Sequence, residues 1–330
     1  MNDDYRKQYL EKLAKSKSDQ ENRNLFSMID RPHSALESSS DESPAHVQNE
    51  DELQRAIAIV FDSNQELKNR LLALEAASIE IGNSDIFFTS AIKFIQDGSQ
   101  PIEFRSGLLT LIRQSSFQSL KYQENRPEIF AALRNVVNDL GAPKGLRMEA
   151  AEFLAINKDD TVQALLTKGL EDPSVAIFEP HIAVKYLSHD IHAVRFEKLA
   201  SMYPDADLLT KRAIVRVLGA DANSKSLLQK LANDKTEDED VRSVCIAALS
   251  SLSPNDYKEL AEKIVLDEGE SDDLRAASLS GYGRAKQLAV SSSALESATI
   301  SELDSKIGNL KSGAKGRLLK AIEKYLGNLK

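Results

Sequence analysis

Apolar and polar positions alternate along most of this chain with the period of an α-helix. From about residue 50 onward, apolar residues recur three, four and seven positions after a basic residue, a spacing that places them on one helix face. After Arg242, for example, these positions hold Cys245, Ile246 and Leu249. No segment shows sustained two-residue alternation, so the sequence predicts an all-α fold without a sheet.

The same template begins at seven basic residues, called the anchors from here on. They are Arg70, Arg105, Arg147, Lys211, Arg242, Arg275 and Lys315. Between Arg147 and Lys211, only a register beginning at Glu179 keeps the period. Successive starts are separated by 35, 42, 32, 32, 31, 33 and 40 residues, enough for two helices and two turns. We therefore predict about seven or eight stacked helix pairs, each with an anchor helix and a returning helix.

The segments Asp240-Val241-Arg242 and Asp273-Leu274-Arg275 each precede a helix rich in alanine and leucine. In a two-helix unit of this length they resemble the HEAT repeat and its bacterial HEAT-like relatives, over about residues 50 to 330. The resemblance implies a right-handed α-solenoid and, for most members, protein binding. It implies no catalytic site, because function varies widely on this scaffold.

Composition narrows the range of partners. The 42 basic and 51 acidic residues give a net charge of −9, which disfavours a protein that coats nucleic acid or an anionic membrane. The single cysteine, Cys245, excludes an internal disulfide and stands at an apolar template position. We expect no secretory signal, and the sequence has no apolar run near the roughly 20 residues that span a bilayer. We expect a cytoplasmic protein without cofactor or metal.

Residues 1–49 differ from the rest. The acidic, serine-rich linker between Leu36 and Pro44 has too few apolar residues to offset the entropy of ordering, so we predict a flexible N-terminal arm before a repeat domain at 50–330. Two apolar clusters interrupt the arm. The first consists of Tyr5, Tyr9, Leu10 and Leu13, and the second of Leu25, Phe26, Met28 and Ile29. Each could dock on a partner, form a transient helix or fold back as a cap.

The returning helices are predicted at 86–95, 129–140, 162–170, 191–202, 227–231 and 257–266. Two irregular connections, residues 115–127 and 290–312, are expected to lengthen their repeats as loops. Returning helices usually line the concave surface of such a solenoid, so their polar residues are candidate contacts. These are Lys93, Arg134, Asn138, Gln163, Arg195, Lys198, Gln229 and Lys230.

Two interpretations are open for the anchors. They could form a cationic ladder that holds phosphate or an acidic peptide. Alternatively, they make ion pairs and carbonyl hydrogen bonds between adjacent repeats, which is the interpretation we favour. The C-terminal stretch, 301–330, is also basic, with seven lysines and arginines against three acidic residues. We interpret this excess as capping and solubilising the terminal helix.

Three of the five histidines, His181, His189 and His192, follow Glu179 within a short stretch that also contains Asp190. Imidazole and carboxylate suit zinc, but His189 and His192 fall at a predicted turn that does not hold their spacing. We expect no metal there. If His189 or His192 packs in its neutral form, this junction becomes a weak hinge; alternatively, Glu179 or Asp190 holds a histidine in its charged form.

The sequence contains no tryptophan, glycine-rich phosphate loop, nucleophile elbow or His-Glu-x-x-His motif. The leading hypothesis is therefore a non-catalytic scaffold that binds another protein along its concave face. The two apolar clusters of the N-terminal arm are candidates for further contacts with that partner. The alternative is an enzyme or enzyme subunit of the HEAT-like kind, similar to bilin lyases or DNA glycosylases.

Overall fold

The structure is a computed structural model that describes residues 50–117, 119–192, 194–292 and 302–328. These residues form α-helices and short 3₁₀ turns and contain no strand, which confirms the all-α prediction for this part of the chain. The helices are α1 Glu50–Val60, α2 Leu67–Ala76, α3 Asp85–Gln96, α4 Ile102–Ser115, α5 Leu120–Asn138, α6 Lys144–Ile156, α7 Asp160–Glu171, α8 Pro180–Leu187, α9 Phe196–Met202, α10 Leu208–Leu218, α11 Lys225–Asn233, α12 Glu239–Leu252, α13 Pro254–Leu266, α14 Asp272–Ser292, α15 Glu302–Leu310 and α16 Gly316–Gly327. The predicted arm and its two apolar clusters lie outside the described residues.

The chain divides into two compact units, Met1–Val162 and Gln163–Lys330. The even-numbered helices are the predicted anchor helices, and the odd-numbered helices from α3 onward are the returning ones. In the first unit α2, α4 and α6 pack in succession, and in the second unit α8, α10, α12, α14 and α16 do the same. Within the described part of the chain, no helix combines the length and apolarity required to cross a bilayer.

The helices form where the apolar template meets a suitable first turn. Side chains of Ser84, Ser119 and Asp207 accept hydrogen bonds from backbone N–H groups in the first turns of α3, α5 and α10. Proline stands in the first turn of α8 and of α13, where its missing N–H costs nothing. Apolar template residues of the anchor helices are buried, among them Leu108 in α4 and Ile246 in α12. Most helical stability therefore comes from packing of the apolar face.

The prediction of a loop at 115–127 is wrong, because α5 begins at Leu120 and the additional residues lengthen the returning helix by about two turns. This segment is rich in polar residues, and Pro127 lies inside the helix. However, Tyr122 is buried, and the Lys121 ammonium lies 2.9 Å from the Asp85 carboxylate, so α3 supports the additional turns.

Residues 290–312 also contain more helix than predicted. The long α14 extends to Ser292, and the short helix α15 occupies Glu302–Leu310. The apolar pattern of α15 is short, but its Asp304 is buried and accepts hydrogen bonds from the Tyr325 hydroxyl and the Lys286 ammonium. These tertiary contacts, which local sequence does not reveal, join α15 to its neighbours.

Candidate functional site

Five of the seven anchors are buried arginines with the same hydrogen bond. In each, Nε donates to a backbone carbonyl ten residues earlier, in the last turn of the preceding odd-numbered helix, at 2.8–3.1 Å. The pairs are Arg70 with Val60, Arg105 with Ile95, Arg147 with Val137, Arg242 with Ala232, and Arg275 with Val265. The last carbonyls of a helix have no partner within it, so the guanidinium groups satisfy them. These donors face the protein interior rather than a ligand.

Some anchors also contact the turn that begins the next repeat. Both terminal nitrogens of Arg242 lie 2.8 Å from the Glu270 carboxylate, and this hydrogen-bonded pairing lowers the pKa of Glu270. Arg70 donates to the Gln100 side chain at 3.1 Å and stacks 3.7 Å above the Phe104 ring. Each of these arginines therefore connects the end of the preceding odd-numbered helix with the turn that begins the next repeat.

The remaining template starts differ. Lys211 lies 3.8 Å from the Glu237 carboxylate and 5.0 Å from the centre of the Tyr203 ring. Lys315 is exposed at the N-cap of α16, and Glu179 is the exposed N-cap residue of α8. A lysine has no planar fork with which to hold a carbonyl and a carboxylate at once, which explains why its contacts differ from those of arginine.

Four of the eight residues predicted to bind a partner are engaged within their own unit. Nε and Nη2 of Arg134 donate hydrogen bonds to the buried Asp159 carboxylate, the shorter at 2.5 Å, and Arg195 lies 2.8 Å from Glu171. Asn138 donates to a backbone carbonyl of its own helix, and Gln163 donates to Asp190. Side chains of the other four make no hydrogen bond or ion pair with the described residues. These are Lys93, Lys198, Gln229 and Lys230.

The histidine cluster is not buried. His189 and His192 are exposed at the turn after α8, where the His192 backbone N–H donates to the Asp190 side chain. The hypothesis that either packs at a weak hinge is therefore wrong, because a packed neutral form requires burial. No group of three potential metal ligands converges within the described residues. Cys245 is fully buried, and this desolvation raises the pKa of its thiol to about 12.

Four large apolar side chains of the first unit are exposed on three neighbouring segments: the turn after α2, the start of α3, and the connection from α4 into α5. We call this surface the apolar edge. Its four side chains are Ile79, Ile86, Phe117 and Leu120. Phe117 and Leu120 are 85% and 81% exposed, and Ile79 and Ile86 are 64% and 53% exposed. Single exposed apolar residues are ordinary, but several on adjoining segments are typical of a surface that is covered by a partner.

Packing around Gly82 brings these segments together. The Ser119 hydroxyl donates to the Gly82 carbonyl, which joins the start of α5 to the turn before α3. A Cβ atom on Gly82 would lie 2.7 Å from the Ser115 hydroxyl oxygen, so only glycine permits this close approach. Asp85 receives hydrogen bonds from Lys121 and, at 3.2 Å, from Asn125.

The charges beside the apolar edge are already paired. The hydrogen bond from Lys121 is the main reason that the pKa of Asp85 is lowered, and Lys121 also contacts Glu124 at 2.8 Å, which raises the lysine pKa. The edge therefore offers apolar area rather than a free ionic group. The unusual length of this connection is visible in the sequence, but the exposure of Phe117 and Leu120 is not, because exposure depends on tertiary packing.

No protein-family model matches the chain, and the search found no significant match among curated proteins. The class that the fold defines is thus an all-α protein built from helix pairs with recurring buried arginines.

Proposed function

We propose that the protein is a non-catalytic scaffold or adaptor that binds another protein in the cytoplasm. Its helix pairs stack as a right-handed HEAT-like α-solenoid whose returning helices form the concave face. The apolar edge carries the binding proposal, since exposed apolar side chains on adjoining segments provide the area that a protein partner buries.

Side-chain hydrogen bonds between residues about one repeat apart in the sequence support the stacking. In the second unit Lys263 contacts Asn233, 30 residues earlier, and Lys235 contacts Asp267, 32 residues later. In the first unit, where the repeat is longer, Asn135 donates to Gln96 across 39 residues. Contacts at one-repeat separations are what a stack of equivalent helix pairs requires.

The partner that fits the apolar edge is a protein segment with apolar side chains. Burying a side chain such as Phe117 or Leu120 contributes on the order of 1.5–3 kcal/mol, so two of them supply a substantial part of a moderate affinity. Lys93 and Lys198 are available for additional polar contacts within their respective units.

The test uses three purified baits: the wild type, Phe117→Ser with Leu120→Ser, and Leu140→Ser. Leu140 is also a large apolar side chain, 72% exposed, so Leu140→Ser is a chemically matched control for the double variant. Leu140 follows the far end of α5, whose 19 residues separate Leu120 from Asn138 by about 27 Å along the helix axis. We expect a partner that the wild type and Leu140→Ser capture from native lysate, and that the double variant loses. In a titration with the purified partner, the double variant should bind at least tenfold more weakly than the wild type.

Equal capture by all three baits would contradict the role of the apolar edge. A partner-free wild type whose mass by light scattering doubles with concentration would identify a second copy as the occupant. Pigment or nucleic acid captured without protein would instead favour the HEAT-like lyase or glycosylase alternative.

A further inference from the structure

The second unit contains a polar cleft of about 420 Å³ between the anchor helices α12, α14 and α16. One wall is acidic, with Glu239 and Asp240 from α12 and Asp273 from α14. The opposite wall is basic and consists of Arg317, Lys320 and Lys324. These three cations are three and four residues apart on α16, so they project from one helix face.

Small side chains form the rest of the lining. They are Ser243, Ala276, Ala277, Ser280 and Ala321, together with Leu274. The Ser280 hydroxyl already donates to the Ala276 carbonyl at 2.8 Å. Short side chains allow a further backbone to approach closely, so the cleft admits a peptide segment rather than only the tips of long side chains.

The two walls differ in how their charges are satisfied. Asp240 pairs with Arg212, and Arg317 lies 3.3 Å from Asp273. Glu239 accepts a 2.5 Å hydrogen bond from the Ser271 hydroxyl. By contrast, Lys320 and Lys324 are exposed and have no hydrogen-bond or ion-pair partner among the described residues. The ammonium groups of these two lysines are therefore available to pair with negative charges of a ligand.

We propose that this cleft binds an acidic α-helical segment of a partner protein, with two carboxylates of the segment facing Lys320 and Lys324. Those lysines are four residues apart, about 6 Å along the helix axis, and carboxylates four residues apart on the bound helix match this distance. A nucleic acid fits less well, because its continuous phosphate charge would face the three carboxylates of the opposite wall.

The probe is a fluorescein-labelled peptide of four Glu-Ala-Ala-Ala repeats, and its control replaces each glutamate with glutamine. We expect the acidic peptide to bind the full-length protein in anisotropy titrations at low salt, and added salt to weaken it. Lys320→Gln with Lys324→Gln should weaken binding about fivefold to tenfold, the effect of two surface ion pairs. Replacing both lysines with arginine should retain binding.

Two further variants separate the cleft from general surface charge. Lys311→Gln with Lys315→Gln removes the same charge outside the cleft lining and should change affinity less than twofold. Ser280→Leu keeps every charge but fills the cleft, and it should weaken binding as strongly as the loss of both lysines. Circular dichroism verifies that each variant is folded.

Equal binding of the two peptides, or equal losses in the two lysine double variants, would overturn the proposal. An oligonucleotide that binds more tightly than the acidic peptide would do so as well. This inference extends the proposed protein-binding function to a second surface. It concerns different residues and a different assay from the apolar edge, so either can fail while the other holds.

Discussion

The two units apply one helical template but differ in the kind of contact that predominates between their repeats. In the first unit six aromatic rings form a continuous series from Phe61 to Tyr122, with neighbouring centroids 5.2–6.4 Å apart. In the second unit, ion pairs join successive repeats. Examples are Lys225 with Asp256, Lys235 with Asp267, and Arg242 with Glu270.

This difference extends to the proposed binding surfaces. The aromatic unit exposes the apolar edge, whereas the ionic unit exposes a cleft with two unpaired lysines. The template therefore determines where helices pack but not how their outer positions interact. Aromatic contacts tolerate salt and acid, while ion pairs between exposed groups weaken under both conditions, so the two units are expected to respond differently to solution conditions.

The largest expected effect comes from the aromatic series. Phe87 is fully buried, and its ring lies 6.1 Å from Phe61 and 5.2 Å from Phe88. We expect Phe87→Ala to lower the free energy of unfolding by about 3–5 kcal/mol, because it removes a large apolar side chain and leaves a cavity. Hydrogen exchange should show the loss in residues 50–162 at any salt concentration. A loss below about 1 kcal/mol would contradict a packed aromatic core.

The corresponding change in the second unit is Arg242→Ala. It leaves the Ala232 carbonyl and the Glu270 carboxylate without the arginine, and the Glu270 side chain is only 6% exposed. We expect a loss of about 3 kcal/mol, since removing the arginine of a buried pair leaves the Glu270 carboxylate with only the more distant Lys235 ammonium, 3.7 Å away. Arg242→Lys should recover part of it. Urea unfolding with hydrogen exchange in 163–330 measures both, and equal losses for alanine and lysine would show that the planar fork is unimportant.

Sequence periodicity predicted the helical class and the register of most anchor helices, because burial of one face imposes a 3.6-residue period. It did not predict the helices at 120–127 and 302–310, where contacts such as Lys121 with Asp85, and Tyr325 with Asp304, stabilise weakly patterned segments. Candidate sites were less predictable still. The excess of C-terminal bases was visible, but its division into paired and unpaired lysines depends on contacts between distant helices.

Acid should weaken the ionic unit selectively. Hydrogen bonds from lysine lower the pKa of Asp256 and Asp267, and the Arg242 hydrogen bond lowers that of Glu270. A lowered folded-state pKa contributes stability above the unfolded value, near pH 4, and that stability is lost as pH falls through the folded value. In the first unit the pKa values of Asp85 and Asp97 are likewise lowered, that of Asp97 to about 2. Burial raises the pKa of Glu149 in the same unit, which has the opposite effect on acid stability.

We therefore expect residues 163–330 to open before residues 50–162 as pH falls from 5 to about 3. Incubation at each pH, followed by a brief deuterium pulse at one fixed pH, separates protein opening from the intrinsic pH dependence of exchange. Arg242→Lys serves as the control, since it weakens one of these contacts and should make the acid response smaller. Simultaneous opening of both units would show that the ionic contacts do not set acid stability.

The smallest expected effect concerns an exposed ion pair of the ionic unit. Arg195 and Glu171 are 2.8 Å apart, yet their side chains are 69% and 45% exposed. Water and salt screen such a pair, so Arg195→Gln should cost at most about 0.5 kcal/mol, and nothing measurable in high salt.

Arg134→Gln is the matched comparison, because Arg134 pairs with Asp159, whose side chain is only 2% exposed. That change should cost about 2 kcal/mol or more at any salt concentration, because it leaves a buried carboxylate without its cation. Equal costs in urea unfolding would mean that burial does not decide the strength of these pairs, and the contrast between exposed and buried contacts would fail.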